Sequence, residues 1–357
     1  MKRFSQLLIT LATSMSLVFV GASAASAEEK TEFKLAWSIY VGWMPWGWAA
    51  DQGIVDKWAD KYGIEIEVVQ FNDYIESINQ YTAGAFDGVT ATNMDTLAIP
   101  SVGGVDTTAL IVGDFSNGND ALILKGADTL EAVVGQNVNL VELSVSHYLL
   151  ARALETIGKV EKDVSVVNTS DADMIAAYQT ADVTAVVTWN PLVAEILETP
   201  GAAKVFDSSD IPGEIMDLTV VNTETLSDNP AFGKALAGAW YETMLIMLSD
   251  TPEGAAARTA MGEASGTDLA GYDMQLASTE MFAVPADAVT FTTSKDVTLT
   301  MESVRTFLFE RGLLGDGAAS PDIVGIAFPD GSVLGDEDNV KLRFNADYMS
   351  MAADGAL

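Results

Sequence analysis

Between residues 33 and 114, short apolar runs alternate with stretches of helical pattern, and no other feature of the chain narrows its fold as much. FKLAWS (33–38) reads as a strand, and the segment after it leads into a helix through AADQGIVDKWADKYG. IEIEVVQF (64–71) alternates as a half-buried strand does, with Ile64, Ile66 and Val68 on one side. DYIESINQYTAG (73–84) has helical spacing and stops at Gly84, a residue suited to the left-handed position after a helix. GVTATN (88–93) and TTALIVGD (107–114) read as buried strands. The β-α-β-α-β order predicts a largely parallel sheet with right-handed crossovers.

A second unit of the same kind begins near Ala121. DALILKG (120–126) and NVNLVEL (137–143) read as strands, and SVSHYLLARALETIG as a helix capped by Ser144 and ended by Gly158. VSVVNT (164–169), a helix from about Asp171 to Thr180, and VTAVVTW (183–189) complete it. After LTVVNTETL (218–226) the pattern turns mostly helical, with PAFGKALAGAWYETMLIML (230–248) the clearest case, which implies a return to cover the first sheet. The expected architecture is α/β, with two lobes around a cleft and the second lobe inserted into the first. Lobe 1 is assigned to 28–119 and 226–357, and lobe 2 to 120–225. Open sheets of this kind bind ligands at the carboxyl ends of their strands, and such two-lobed clefts close by hinge motion.

Residues 1–27 read as a cleavable secretion signal. Lys2 and Arg3 precede the apolar run Leu7 to Val20, and Ala25-Ser26-Ala27 forms a small-residue cleavage site. The expected location is therefore the periplasm. The chain has no cysteine, so disulfides, zinc–thiolate sites and thiol catalysis are excluded. With 51 acidic residues against 18 basic ones the net charge is −33, which argues against nucleic acid or an anionic membrane surface as partner.

The motifs WSIYVGWMPW, KWADKYGIEIE, ESINQYTAGAFDG, TNMD, LIVGDFSNGND, VNLVELSVSHYLLARAL, VVTWNP, GEIMDLTVVNTETL and NVKLRF run through nearly the whole chain after the signal. Together they resemble the nitrate/sulfonate/taurine type of ABC-importer solute-binding proteins, in the branch associated with urea-carboxylase operons. The resemblance implies a type II periplasmic binding protein fold and a monomeric receptor. Such a receptor hands a small nitrogen-rich solute, urea or guanidinium, to an ABC permease of the inner membrane. It supplies no list of ligand contacts, so the site is read from topology and chemistry.

Four of the seven tryptophans fall within residues 37–48, directly after the first strand, where a parallel sheet presents its first cleft loop. Gly42, Pro45 and Gly47 predict a turn there, with Trp37, Tyr40, Trp43 and Trp46 available to a cleft, two in the site and two in the core. Asn93 and Asp95 lie beyond the third strand, although Asp95 also suits a helix cap. Asp114, Asn119 and Asp120 lie where the chain leaves the first lobe. The loop that holds them lacks the glycine and glutamate spacing of a calcium loop. Glu142 and Ser144 precede a helix amino terminus of the kind that holds oxyanions. Trp189 ends a second-lobe strand, and Glu214 and Asp217 sit near the return, where one of the two is expected to complete the site and the other to be solvated. His147, the single histidine, reads as structural.

Guanidinium is flat, cationic and carries only N–H donors, so it calls for carboxylates in bidentate geometry and aromatic faces. Urea is neutral and also needs donors. The candidate positions offer carboxylates and rings but no lysine or arginine, and burying such charge around a neutral solute is costly. Guanidinium is the favoured solute on these grounds. An enzyme acting on a small nitrogenous compound is the competing class, but no catalytic motif, metal-ligand spacing or phosphate loop supports it, and no cofactor is expected.

Overall fold

The computed structural model describes residues 30–315 and 317–357, and residues 31–357 form one unit by their internal contacts. The signal-peptide assignment at 1–27 lies outside the described residues. Four strands open the unit: β1 (Glu32–Ser38), β2 (Glu65–Phe71), β3 (Gly88–Thr92) and β4 (Thr107–Ser116). Five more follow in β5 (Ala121–Lys125), β6 (Asn137–Leu140), β7 (Ser165–Asn168), β8 (Ala185–Thr188) and β9 (Ala202–Asp207). The last five are β10 (Met216–Asn222), β11 (Thr279–Met281), β12 (Gly325–Ala327), β13 (Val333–Leu334) and β14 (Val340–Phe344).

These strands make two sheets. The larger runs β13-β12-β14-β4-β10-β3-β1-β2, with β11 paired to β4, and the smaller runs β7-β6-β8-β5-β9. All strands of the smaller sheet lie between residues 121 and 207, between two stretches that build the larger one. The return is earlier than the sequence pattern placed it: β10, assigned above to the second lobe, pairs with β3 and β4 in the larger sheet. It also breaks the expected parallel order. β1–β2 and β1–β3 are parallel, but β10 lies between β3 and β4 and is antiparallel to both. Local pattern cannot foresee this, because a fully buried strand looks alike in either direction. The mostly helical last third also holds four short strands, β11 to β14.

The amino-terminal aromatic segment makes the expected turn at Val41–Trp43 and becomes helical from Met44. The helix Met44–Asp51 carries Pro45 in its first turn, where the missing N–H removes no bond. Gly47 serves a packing role, since a Cβ there would come within 2.4 Å of the Trp37 ring. The helix Tyr74–Thr82 is capped by Asp73, whose side chain accepts from the Glu76 amide at 2.8 Å. The long helix Pro230–Met247 packs on Ile54–Lys61, and Gly238 clears the space that the Trp58 ring fills.

The two connections between the sheets are tied side by side. Ser116 and Ser208 share a hydroxyl bond of 2.6 Å, the Gly118 amide donates to Ser208 Oγ at 2.7 Å, and the Ser116 amide donates to the Ile215 carbonyl at 2.9 Å. Asn119 is part of this fastening. Its Oδ1 accepts from the Asn190 amide at 3.0 Å and its Nδ2 donates to Thr279 Oγ1 at 3.0 Å. Asn93 does similar work on the return, accepting from the Met216 amide at 3.0 Å and donating to the Glu214 carbonyl at 3.2 Å.

Candidate functional site

Three neighbouring strands end in polar residues that form a row. In register, Asp217 of β10 stands opposite Thr92 of β3 on one side and Asp114 of β4 on the other. The β4–β10 register slips between Asp217 and Leu218, an irregularity of the kind that re-aims a side chain at the end of a ladder. Thr92 closes β3 and caps the short helix Asn93–Thr96, accepting from the Asp95 amide and donating to Asp95 Oδ2 at 2.9 Å. The cap is therefore Thr92, and Asp95 is the third residue of that helix.

Above this row lies a small cavity lined by Tyr40, Trp43, Tyr74, Thr92, Asp120, Val145, Trp189 and Asp217. Its volume is about 10 Å³, near the space one water needs. The rings form its walls: Trp43 meets Tyr40 edge-on at 4.9 Å and Tyr74 at 5.5 Å, and Tyr74 meets Trp189 edge-on at 5.7 Å. Tyr40, Trp43 and Tyr74 come from the larger sheet's side, whereas Val145 and Trp189 follow strands of the smaller one. The cavity thus lies where the two sheets' strand ends face each other.

The charge of this region is one-sided. Asp95, Asp114, Asp120 and Asp217 are all buried, and no lysine, arginine or histidine lines the cavity among the described residues. Tyr40 donates to Asp114 Oδ1 at 2.8 Å, Tyr74 to Asp95 Oδ2 at 2.7 Å, and Ser116 to Asp120 Oδ2 at 2.6 Å. Burial pushes Asp95 up to about 6 in spite of those bonds. It pushes Asp120 and Asp114 up to about 7. Asp217 goes well above the ordinary carboxylate range, from burial first and the charge of Asp114 second. Asp95 Oδ1, Asp114 Oδ2, Asp217 Oδ2 and the Trp43 indole nitrogen have no hydrogen-bond partner.

A further carboxylate contact crosses between the sheets. The helix Val145–Thr156, capped by Ser144, aims its amino terminus at Asp95, and the Val145 amide donates to Asp95 Oδ2 at 3.3 Å. The position that would suit an external anion is thereby filled by the chain's own carboxylate.

Of the residues singled out from the sequence, the structure brings Tyr40, Trp43, Asp120, Trp189 and Asp217 to the cavity, with Asp114 and Asp95 directly behind it. Trp37 packs under Gly47, and Trp46 lies in the core against Trp240, with its indole donating to Thr219 at 3.2 Å. Glu142 is exposed, and Asn93, Asn119 and Ser144 are fixed by structural bonds. Glu214 is partly exposed but paired: Arg152 grips both its oxygens at 2.8 and 3.0 Å, and Tyr148 donates to it at 2.6 Å. Sequence reading missed Tyr74 and Thr92. Tyr74 is the first residue of a helix after an Asp cap, which is a weak signal, but one that places it at the carboxyl end of β2.

The architecture has close counterparts among solved structures. The alkanesulfonate-binding protein SsuA of Xanthomonas axonopodis pv. citri, bound to MOPS, superposes with a TM-score of 0.67 at 14% identity, covering 81% of this chain and 96% of that one. The periplasmic aliphatic sulphonate binding protein SsuA of Escherichia coli gives 0.64 at 17% identity, covering 80% and 94%. In sequence, the taurine-binding periplasmic protein of Escherichia coli K12 is 28% identical over 132 residues, which is 36% of this chain and 40% of the length of that relative. The fold is thus that of periplasmic binding proteins. The model of the NMT1-like family matches residues 26–261, about two thirds of the sequence, and the chain belongs to that family.

Proposed function

We propose that this protein is the periplasmic solute-binding component of an ABC importer, and that its solute is a small organic cation of the guanidinium class. One observation carries the reading. Four aromatic rings and the carboxyls of Asp120 and Asp217 enclose a cavity with no basic side chain, backed by Asp95 and Asp114. Buried carboxyls without a cation are costly, and aromatic faces attract cations, so the arrangement fits a positively charged occupant. Asp95 already sits at the amino terminus of the helix Val145–Thr156 beside the cavity, which works against a sulfonate or nitrate there.

In this reading Tyr40, Trp43, Tyr74 and Trp189 face the planar cation, and Asp217 and Asp120 accept from its N–H edges. Thr92, Asp114 and Asp95 hold that constellation in place. The smaller sheet with its helices acts as the second lobe, and the tied connections near Ser116 and Ser208 as the hinge. The reading places the chain in the urea-carboxylase-associated branch, with a permease as partner and binding without turnover.

A urea receptor is the second reading. The unpartnered indole N–H of Trp43 favours it, because a carbonyl oxygen would satisfy that donor.

Calorimetric titration with guanidinium, urea and taurine at fixed salt, all at millimolar concentration or below, tests both. Saturable one-to-one binding of guanidinium without urea is the expected outcome. Urea binding alone transfers the site to the second reading, and taurine binding alone ends both.

A further inference from the structure

The exposed grooves on this molecule mix acidic and basic residues that already pair with one another, as Arg152, Glu155 and Glu161 do beside Arg311. Among the buried acids, two side chains stand out. Asp114 and Asp217 stand directly opposite on neighbouring strands, both buried, each with its Oδ2 lacking a hydrogen-bond partner. Two carboxylates that close cannot both be ionised in a site that offers no cation, so the pair holds a proton.

The surroundings offer no alternative compensation. From the loop after β1, Tyr40 donates its hydroxyl to Asp114 Oδ1, and Gly42 lets the Asp114 carboxyl lie against the backbone, since a Cβ there would come within 2.7 Å of Oδ2. From the β4–β5 connection comes Asp120, and from the end of β3 comes Thr92, with Asp95 behind it. Tyr272, from the helix Leu269–Leu276, gives its hydroxyl to the Val41 carbonyl. Every ionisable group facing the pair is thus an acid or a phenol. On the β11 side, Met281 stands opposite Asp114.

We infer that Asp114 and Asp217 act as one unit in which a shared proton takes the place of the solute's charge, so that a monocation enters by exchange for that proton. This rests on the cation reading above. The balance is simple: one positive charge comes in on the solute, one leaves as a proton to bulk buffer, and the pair passes from one shared proton to two carboxylates facing a cation. Asp217, which lines the cavity, is the group that meets the solute. Asp114, anchored by Tyr40, is a positioning residue that sets when Asp217 gives up its proton. The exchange also determines specificity, because a neutral solute cannot displace the proton and gains nothing from the pair.

The test is guanidinium titration of the full protein by calorimetry at pH 8, where Asp120 is already ionised and the pair keeps a single proton, in two buffers whose ionisation heats differ widely. The expected result is release of close to one proton per guanidinium bound. Affinity should fall by up to tenfold for each pH unit below the point at which the pair takes up its proton. Asp114→Asn should lower the proton count towards zero and flatten that slope, with folding checked by circular dichroism. Tight guanidinium binding with no proton release from pH 6 to 8 overturns the exchange and leaves the cation receptor standing. Absence of guanidinium binding at every pH overturns the receptor reading and the exchange with it.

Discussion

Two sets of carboxylates in this molecule are treated in opposite ways. Outside the cavity, Arg152 grips Glu214, Arg343 holds Asp106 through two bonds of 3.0 and 2.7 Å, and Arg305 spans Glu302 and Asp322. Arg258 and Arg311 are likewise paired, so each described arginine answers a carboxylate at or near the surface. In the interior, Asp95, Asp114, Asp120 and Asp217 have only hydroxyls, an amide and one another. Stability alone would distribute cations the other way, because an exposed pair gains little and a buried unpaired charge costs much. On the proposed reading, the interior acids are kept open for a partner from outside the chain.

The largest effect that would break this contrast is at Asp217. Asp217→Asn removes a buried carboxyl that no basic side chain answers and that, on the proposed reading, meets the solute. Guanidinium affinity should fall by about 2–5 kcal/mol, thirtyfold at the least, while the ligand-free protein melts at the same temperature or higher. A variant that melts lower and binds as before would place Asp217 among the structural acids. The matching change in the paired set is Arg152→Met, which strands a Glu214 that keeps only the Tyr148 hydroxyl. Unfolding free energy should drop by ~1–3 kcal/mol in a denaturant titration, with solute affinity near that of the parent.

How much of this was legible in the sequence depended on whether the signal was local. The strands before residue 116 and the capped helices at Tyr74 and Val145 follow from alternation, helical spacing and Asp or Ser caps, and they match the structure closely. β10 was legible as a strand but not in its place, since its pairing between β3 and β4 depends on a return from more than ninety residues away. The same return makes the cavity, because only that pairing sets Asp217 beside Thr92 and Asp114. Hence Asp217 and Asp114 could each be named from the sequence but not set side by side, and Thr92 could not be named. Among the aromatic residues the division into wall and core was expected, but not which ring went where. Helical geometry from Met44 onward turns Trp46 towards Trp240 and leaves Trp43, just before the helix, at the cavity.

The contrast has a pH signature of its own. Asp95, Asp114 and Asp120 have folded values near 6 to 7, raised above an unfolded value of about 3.9 by burial. In that sense of shift the folded state binds more protons than the unfolded state. The stability these groups give is therefore full below about pH 4 and is lost as pH rises through about 7. The ligand-free protein should lose stability progressively from pH 5 to pH 8, by up to about 1.4 kcal/mol per pH unit for each of the three groups at the steepest point. Asp114→Asn should make the curve shallower, whereas Arg152→Met should shift it without changing its slope. A melting temperature that climbs across the same range would mean that these carboxyls ionise freely in the fold.

The smallest effect sharpens the comparison within a single segment. Trp43 and Trp46 are three residues apart and both buried, yet one walls the cavity and the other packs on Trp240 and donates to Thr219. If the aromatic faces contribute to cation binding, Trp43→Leu should weaken guanidinium by about 0.5–2 kcal/mol, from a few-fold to about thirtyfold. Trp46→Phe should instead lower the melting temperature through the lost indole bond and poorer packing, with affinity unchanged. Equal losses of affinity in both would mean that the segment acts through the shape of the whole loop. A loss confined to Trp43 would locate recognition in the ring, which a neutral, non-planar solute could not exploit to the same degree.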